Sequence, residues 1–335
     1  MTGMLPTFLF APFAVTPQVQ VGGTWPDECR MQANTGYISS PGRPPTSRPN
    51  GNRNCTRTLC PASGEPIFVA FLVGLLSEDL VPPGAMFDAG ANHGVESCHF
   101  AAAASHRVMH SLDPVKKNVA AIRKRYATAM PNIMPMHAGI GEHPASIPIP
   151  AYVEHARPGA APWFALKGHR VATQSTEAQR AKVAYMADVV PIDQLFAVSF
   201  PGERLGLAHI DVEGMDLAAV RGAIKTFTRD MPVVAVECSI HSSRSYTRHL
   251  FHIFEALEYD AHLFDEACGC VNCDTRNLLF IPKYLAEAVA KSQAMATAQA
   301  TAKMHAVDNI TVFRHAIIDN SRRSKAQASL GRDIS

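Results

Sequence analysis

Short apolar runs and amphipathic stretches begin to alternate abruptly near Pro66. Residues 67–76, IFVAFLVGLL, form one apolar block that Leu75 and Leu76 extend, which predicts a buried helix. Residues 85–87, AMF, make a brief apolar run ending in DAGANHG (88–94), followed by an alanine-rich stretch to Ala104. That pattern is strand, glycine-containing turn, helix. Residues 108–112 predict a second strand ending at Asp113-Pro114. Behind it Val115, Val119, Ile122, Tyr126 and Met130 fall on one helical face. Residues 133–138 read as a third strand, 205–210 as a fourth ending in Asp211-Val212-Glu213-Gly214, and 233–236 as a fifth ending in Glu237. Helical faces follow each of the last two: Leu217, Val220, Ile224 and Phe227, then Tyr246, Leu250, Ile253, Phe254 and Leu257. Residues 278–281 predict a closing strand and 284–304 a closing helix.

Strands alternating with helices of this length predict an α/β fold, a mainly parallel sheet with helices on both faces. Residues 141–187 lack periodicity and read as a long insertion. Twelve of the 24 prolines lie in residues 1–83, and SSPGRPPTSRPNGNRN (39–54) has no apolar face, so 1–63 is expected to be an irregular extension. The expected organisation is that extension, a domain over 64–305, and a tail over 306–335.

Composition narrows the functional classes. The chain has 335 residues, 47% of them apolar, which suffices for a sizeable core. Its net charge of +2 and 7% aromatic content supply neither the field nor the stacking platforms of a nucleic-acid binder. No apolar run reaches the roughly 18–20 residues of a membrane span. The amino terminus carries an apolar stretch broken by prolines and lacks the basic start of a signal peptide. A soluble intracellular location is slightly favoured. Acceptor patterns at Asn54 and Asn309 keep the secretory route open.

Eight cysteines are too few for a disulfide scaffold. Cys268, Cys270 and Cys273 form a C-x-C-x-x-C run that, with Cys238 or a histidine, matches part of a zinc ligand set. The two separated C-x-x-C pairs of the usual signature are absent, so disulfides or reduced thiols are the expectation and no metal is assigned.

Ligands of open α/β sheets bind outside the carboxyl ends of the strands. Polar residues recur there: Asp88 and Asn92, Asp113, Asp211 and Glu213, Glu237 and His241. The D-x-G-x-x-x-G turn departs from the G-x-G-x-x-G spacing that seats a pyrophosphate. Gly90 permits close backbone approach, and an acid at Asp88 suits a cationic ligand. Asp113, 25 residues on, stands where an acid accepts hydrogen bonds from ribose hydroxyls. A cationic nucleoside with a free ribose is S-adenosylmethionine.

With FDAGANHG (87–94), LDP (112–114), HIDVEGMDLAAVRGA (209–223), VVAVE (233–237) and NLLFIP (277–282), the chain resembles the FkbM-type methyltransferases. The resemblance spans about residues 84–283 and implies a Rossmann-like class I methyltransferase fold with a seven-stranded sheet. It implies S-adenosylmethionine as cofactor and O-methylation of a sugar, glycan or small metabolite. It further implies that Asp88, Gly90, Asn92 and Gly94 line the methionine end of the cofactor, that Asp113 holds the ribose, and that Asp211 and Glu213 floor the site. Two positions depart from the pattern: Asp113 and Asp216 stand where the family commonly has Glu. Asp211, Glu237 and His241 are the candidate bases for an acceptor hydroxyl, and Glu213 has a second reading as an acceptor for the backbone N–H groups of the following helix. A nicotinamide-dependent oxidoreductase and an inactive binding protein on the same fold are the alternatives.

Overall fold

The structure, a computed structural model, describes residues 60, 63, 65–126, 128–151, 183–239, 244–264, 275–301 and 304–306. Residues 1–59, the cysteines at 268, 270 and 273, and His241 lie outside the described residues, as do Asn54 and Asn309.

Helix α1 (Pro66–Ser77) starts with proline in its first turn, where the missing N–H has no helical partner to lose. Being apolar nearly all round, it is buried. Strand β1 (Ala85–Ala89), helix α2 (Val95–Ala103), strand β2 (Met109–Asp113), helix α3 (Lys116–Tyr126) and strand β3 (Ile133–His137) follow. Then come β4 (Gly139–Ile140), β5 (Ala145–Pro150), β6 (Val183–Val190) and β7 (Leu205–Ile210). Helices α4 (Asp216–Arg221) and α5 (Ile224–Asp230) lead to β8 (Val233–Ser239), α6 (Arg244–Ala256), β9 (Tyr259–Phe264) and β10 (Thr275–Pro282). Helices α7 (Lys283–Ala290) and α8 (Gln293–Ala300) and strand β11 (Met304–Ala306) close the described chain.

Among the described residues the main sheet has the order β11-β9-β10-β8-β7-β1-β2-β3. The pairs β3–β2, β2–β1, β1–β7 and β7–β8 are parallel, and β10 runs antiparallel to both β8 and β9. This is a Rossmann-like sheet whose crossover point lies between β1 and β7. The seven strands expected are present, with β11 as an eighth at the edge. One face packs on α1, α2 and α8 through Met86, Met109, Leu207, Ala235 and Leu279. The other carries Phe87, Leu112, Ala208, Ile210, Val234 and Phe280.

Three expectations need correction. Within the expected insertion and at its edges, a second sheet forms with the order β4-β6-β5. Pro148 and Pro150 hid β5, because proline argues against a central strand, but β5 is an edge and tolerates them. The single helix expected after residue 214 is two: the Asp193 carboxylate accepts the Lys225 and Thr226 N–H groups at 3.1 and 2.7 Å and starts α5 afresh. The helix expected over 284–304 also divides, since Ser292 caps α8 by accepting the Met295 N–H at 2.9 Å. Strand β9 supplies the seventh strand that the resemblance implies, at a position the hydrophobic pattern did not single out.

Cys60 is disulfide-bonded to Cys98 in α2 and packs against the core, so the extension expected over 1–63 is tied to the domain near its end. Ser63 Oγ donates to Glu96 Oε1 at 3.0 Å beside it. The bond closes a loop with a separation of 38 residues. The chain-entropy estimate for such a loop is about 4 kcal/mol, an upper value. We expect Cys60→Ser, or reduction, to lower the melting temperature, with a shift of under about 1 °C showing that the crosslink constrains nothing.

Candidate functional site

Side chains alternate across a strand, so residues two apart share a face. Ser111 and Asp113 of β2, then His209 of β7 with Asp211 just beyond it, therefore project on one side of the sheet. Register adds the neighbours: Asp88 lies opposite both His209 and Ser111, and Asn277 lies opposite Glu237. All belong to the face covered by α1 and α2. Polar groups thus form a row across the carboxyl ends of β2, β1, β7 and β8 and on into the antiparallel β10.

The deep part of the row is closed by its own hydrogen bonds. Asp88, 1% exposed, accepts from His209 Nδ1 at 2.9 Å and from Ser97 Oγ, which itself receives Ser111 Oγ–H at 2.8 Å. Burial pushes the His209 imidazole down, but the hydrogen bond and charge of Asp88, with Glu96 and Glu65 nearby, outweigh it and raise it to about 9. Asp88 and His209 are a buried ion pair. The expectation that Asp88 offers its charge to a cationic ligand is therefore corrected: both of its oxygens are engaged inside the protein.

Above that pair is the turn. Gly90, Asn92 and Gly94 all have positive φ, at 85°, 51° and 78°. Gly90 is required by packing: a Cβ there would lie 1.7 Å from the Asp211 carbonyl oxygen. Asp113 Oδ2 accepts the Asn92 N–H at 2.8 Å, and its Oδ1 accepts Val115 N–H at 2.8 Å and Asn118 Nδ2 at 3.1 Å. Burial raises this carboxyl, the three donors oppose it, and it settles at about 7. Asp113 is thus the brace of the turn, with capacity for one more donor on its second oxygen.

At the ends of β7 and β8, Asp211 is hydrogen-bonded to Glu237. Burial first, and the Glu237 carboxylate second, push Asp211 well above the usual carboxylate range. Two carboxyls so close hold one proton between them. Asp211 Oδ1 is buried and has no hydrogen-bond partner among the described residues. Glu213 has φ of 56° in the same loop and adds to the field on Asp211. Asp216 caps the same loop, accepting Val212 and Gly214 N–H at 2.9 and 3.0 Å and Tyr246 O–H at 2.9 Å. Burial lifts Asp216 to about 6.

The structure thus brings together Asp211, Glu237, Glu213 and the Gly90–Gly94 turn with its Asp113 brace. It adds Glu65 and Asn277, which strand-end reasoning did not reach: Glu65 precedes the first helix, and Asn277 sits in an antiparallel strand. His93 Nδ1, in the turn itself, is also buried without a partner among the described residues. No group of three or more His, Cys, Asp or Glu among the described residues is arranged to hold a metal.

A family model described as the methyltransferase FkbM domain matches residues 88–269. No curated protein matches the chain. Among solved structures, the chain is similar to a methyltransferase FkbM from Methylobacillus flagellatus KT at 18% identity and a TM-score of 0.40, over 59% of this chain and 43% of that one. The match therefore spans less than half of the Methylobacillus protein. Precorrin-6y C5,15-methyltransferase from Geobacter metallireducens GS-15 aligns at 10% identity and a TM-score of 0.33, over 63% of this chain and 86% of its own. A fibrillarin from Aeropyrum pernix, in complex with natively bound S-adenosyl-L-methionine, aligns at 9% identity and a TM-score of 0.33, over 62% and 73%. With its family match covering more than half of the sequence, from Asp88 in the first strand through the last parallel strand, the chain belongs to the FkbM methyltransferase family.

Proposed function

We propose that the protein is an S-adenosylmethionine-dependent O-methyltransferase acting on a hydroxyl of a sugar, glycan or small metabolite. The observation that carries this reading is the hydrogen-bonded Asp211–Glu237 carboxyl pair with its orphaned Asp211 Oδ1, set against the Gly90 turn. A buried acceptor atom and one net negative charge fit a ligand that brings ammonium and sulfonium charge. Asp113 fits one ribose hydroxyl through its remaining capacity. The bound cofactor supplies an already activated methyl electrophile. The protein's task is then placement, worth about 7–11 kcal/mol.

Asp211, the first candidate for the base, is pushed well above the usual carboxylate range by its burial and then by Glu237, which disfavours it as a free base. His241 lies outside the described residues and takes no part in this reading. The nicotinamide alternative falls with the family assignment. The Cys60–Cys98 bridge supports an oxidising compartment against the intracellular expectation. No helix among the described residues is long and apolar enough to cross a membrane.

Calorimetry with S-adenosylmethionine and its demethylated product tests the reading. Both should bind. Glu237→Gln should weaken the sulfonium form by about ten-fold, close to the 1.5 kcal/mol of a charged hydrogen bond, and the neutral product less. Asp211→Asn, which retains a donor toward Glu237, should shift both by less. Absence of cofactor binding by the wild-type protein would defeat the proposal.

A further inference from the structure

The family match begins at residue 88, yet a carboxylate from outside it reaches the polar row. Glu65 stands at the N-terminus of α1. The disulfide at Cys60, Ser63 Oγ donating to Glu96, and the Glu65 N–H donating to Ser63 Oγ at 3.0 Å fix its backbone over α2. Asn277, 2% exposed, donates from Nδ2 to Glu65 Oε2 at 2.6 Å. Strand register sets Asn277 opposite Glu237, whose carboxyl is bonded to Asp211. The result is a continuous line, Glu65–Asn277–Glu237–Asp211, across the ends of β10, β8 and β7.

Three atoms along this line are buried with no hydrogen-bond partner among the described residues: Glu65 Oε1, Asn277 Oδ1 and Asp211 Oδ1. A buried polar atom left unpaired costs on the order of a hydrogen bond, so such atoms in a site mark where a ligand supplies the missing group. If Asp211 Oδ1 faces the cofactor, two remain for the acceptor. Both are hydrogen-bond acceptors on neighbouring side chains, so their ligand must bring two donors side by side. Carboxylates and phosphates bring none and are repelled by Glu65 and Glu237.

We propose that Glu65 and Asn277 form the methyl-acceptor subsite, that it takes adjacent hydroxyls of a neutral sugar, and that Glu65 is the general base. This rests on the methyltransferase reading above. In the step, the acceptor oxygen forms its bond to the methyl carbon as the carbon–sulfur bond breaks, with that electron pair returning to sulfur. The hydroxyl proton passes to Glu65 Oε1 and leaves later to solvent. Asn277 Oδ1 holds the adjacent hydroxyl, while its Nδ2 keeps the Glu65 carboxylate aimed.

The ionisation of Glu65 suits that task. Burial raises it, the Asn277 hydrogen bond lowers it, Glu237 of β8 raises it, the His209 imidazolium of β7 lowers it and Glu96 of α2 raises it, with a net position of about 7. General bases work best near the operating pH. The rate should therefore be lost as pH falls through about 7, where a carboxylate at its ordinary 4.5 would hold its rate two units further down.

The test uses the full chain, labelled S-adenosylmethionine, and methyl glycosides of neutral hexoses beside the corresponding uronates and simple primary amines. We expect methylation of neutral glycosides, a kcat/KM acid limb near pH 7, and discrimination against uronates. Glu65→Gln, which preserves an acceptor for Asn277 Nδ2, should bind cofactor as the wild type does, lose about 10²–10⁴-fold in turnover and lose the limb. Glu65→Asp should keep the limb with reduced turnover, and it decides the matter if the Gln variant fails to fold. Turnover within a few-fold of wild type in Glu65→Gln, or an unchanged limb, would overturn the role of Glu65. A wild-type protein that binds cofactor but methylates only uronates or amines, or none of the panel, would overturn the subsite. Failure of cofactor binding altogether would instead strike the underlying reading.

Discussion

Gly90→Val is expected to give little or no folded protein. Its Cβ would sit 1.7 Å from the Asp211 carbonyl oxygen and 2.7 Å from its carbon, both backbone atoms of the neighbouring chain segment. Neither side has freedom to retreat. Gly90 N–H donates to Leu112 O at 2.9 Å, and Asp211 N–H donates to Ala89 O at 2.9 Å, so three strand ends are stitched at this point. At φ of 85° a β-branched residue adds a backbone penalty of about 1–3 kcal/mol. Parting the ends of β1 and β7 strands buried donors at about 1–3 kcal/mol each. The sum, over about 5 kcal/mol, approaches the whole stability of a typical domain. Gly90→Ala meets the same atom and should fail nearly as badly. Soluble yield and thermal unfolding by circular dichroism check this, and a Val variant melting like the wild type would refute it. A glycine read from sequence as ligand-facing predicts lost cofactor binding with an intact sheet. The strand contact overturns the second half of that expectation.

Gly90 shows where sequence reasoning reaches and where it stops. The strand–turn–helix pattern around DAGANHG was legible because a short apolar run meets a glycine and then an alanine-rich stretch. What the glycine touches was not, because Asp211 lies far along the chain and only the β1–β7 register brings it close. Asp88 is the same case. Its place at the end of β1 is plain, but its partner is His209, paired with it in register, and two serines complete the network. The sequence HID contains both a core cation and a site carboxyl, two residues apart on one face; alternation alone says they share a side, and only burial says which one meets a ligand.

Strand β9 illustrates the opposite limit. The order Tyr259-Asp260-Ala261-His262-Leu263-Phe264 alternates apolar with polar, so its signal was present. It is only six residues long, directly follows a helix, and ends at a stretch outside the described residues. Glu65 was hidden differently. An acid before an apolar helix is an ordinary helix start, and its meaning comes from Asn277, 212 positions away. Site residues contributed by the antiparallel end of the sheet escape a rule built on parallel strand ends.

The second large effect expected is on stability, from Asp88→Ala. It leaves the His209 imidazolium buried without its counter-ion, between Phe68 and Phe100. Removing one partner of a buried pair typically costs about 3–5 kcal/mol. For a domain of this size that is a melting-temperature loss of about 6–20 °C. The pH dependence identifies the cause. His209 has its folded-state value raised to about 9 from an ordinary 6.5, so the folded state holds the extra proton between those limits. Stability from this group is fully present below about 6.5 and is lost as pH rises through about 9. Glu65 and Asp113, both raised to about 7, and Asp216, raised to about 6, act in the same direction at lower pH, each losing its contribution as pH rises through its folded-state value. Among the described residues Asp230 opposes them, held low by Arg229 and the Leu205 N–H against its burial. The wild-type protein should therefore melt higher at pH 5 than at pH 9. The gap between wild type and Asp88→Asn, which keeps shape and one acceptor, should narrow as pH rises toward 9, because His209 then gives up its proton in both. A gap constant from pH 6 to pH 10 would mean that His209 is neutral and that Asp88 serves by hydrogen bonding alone.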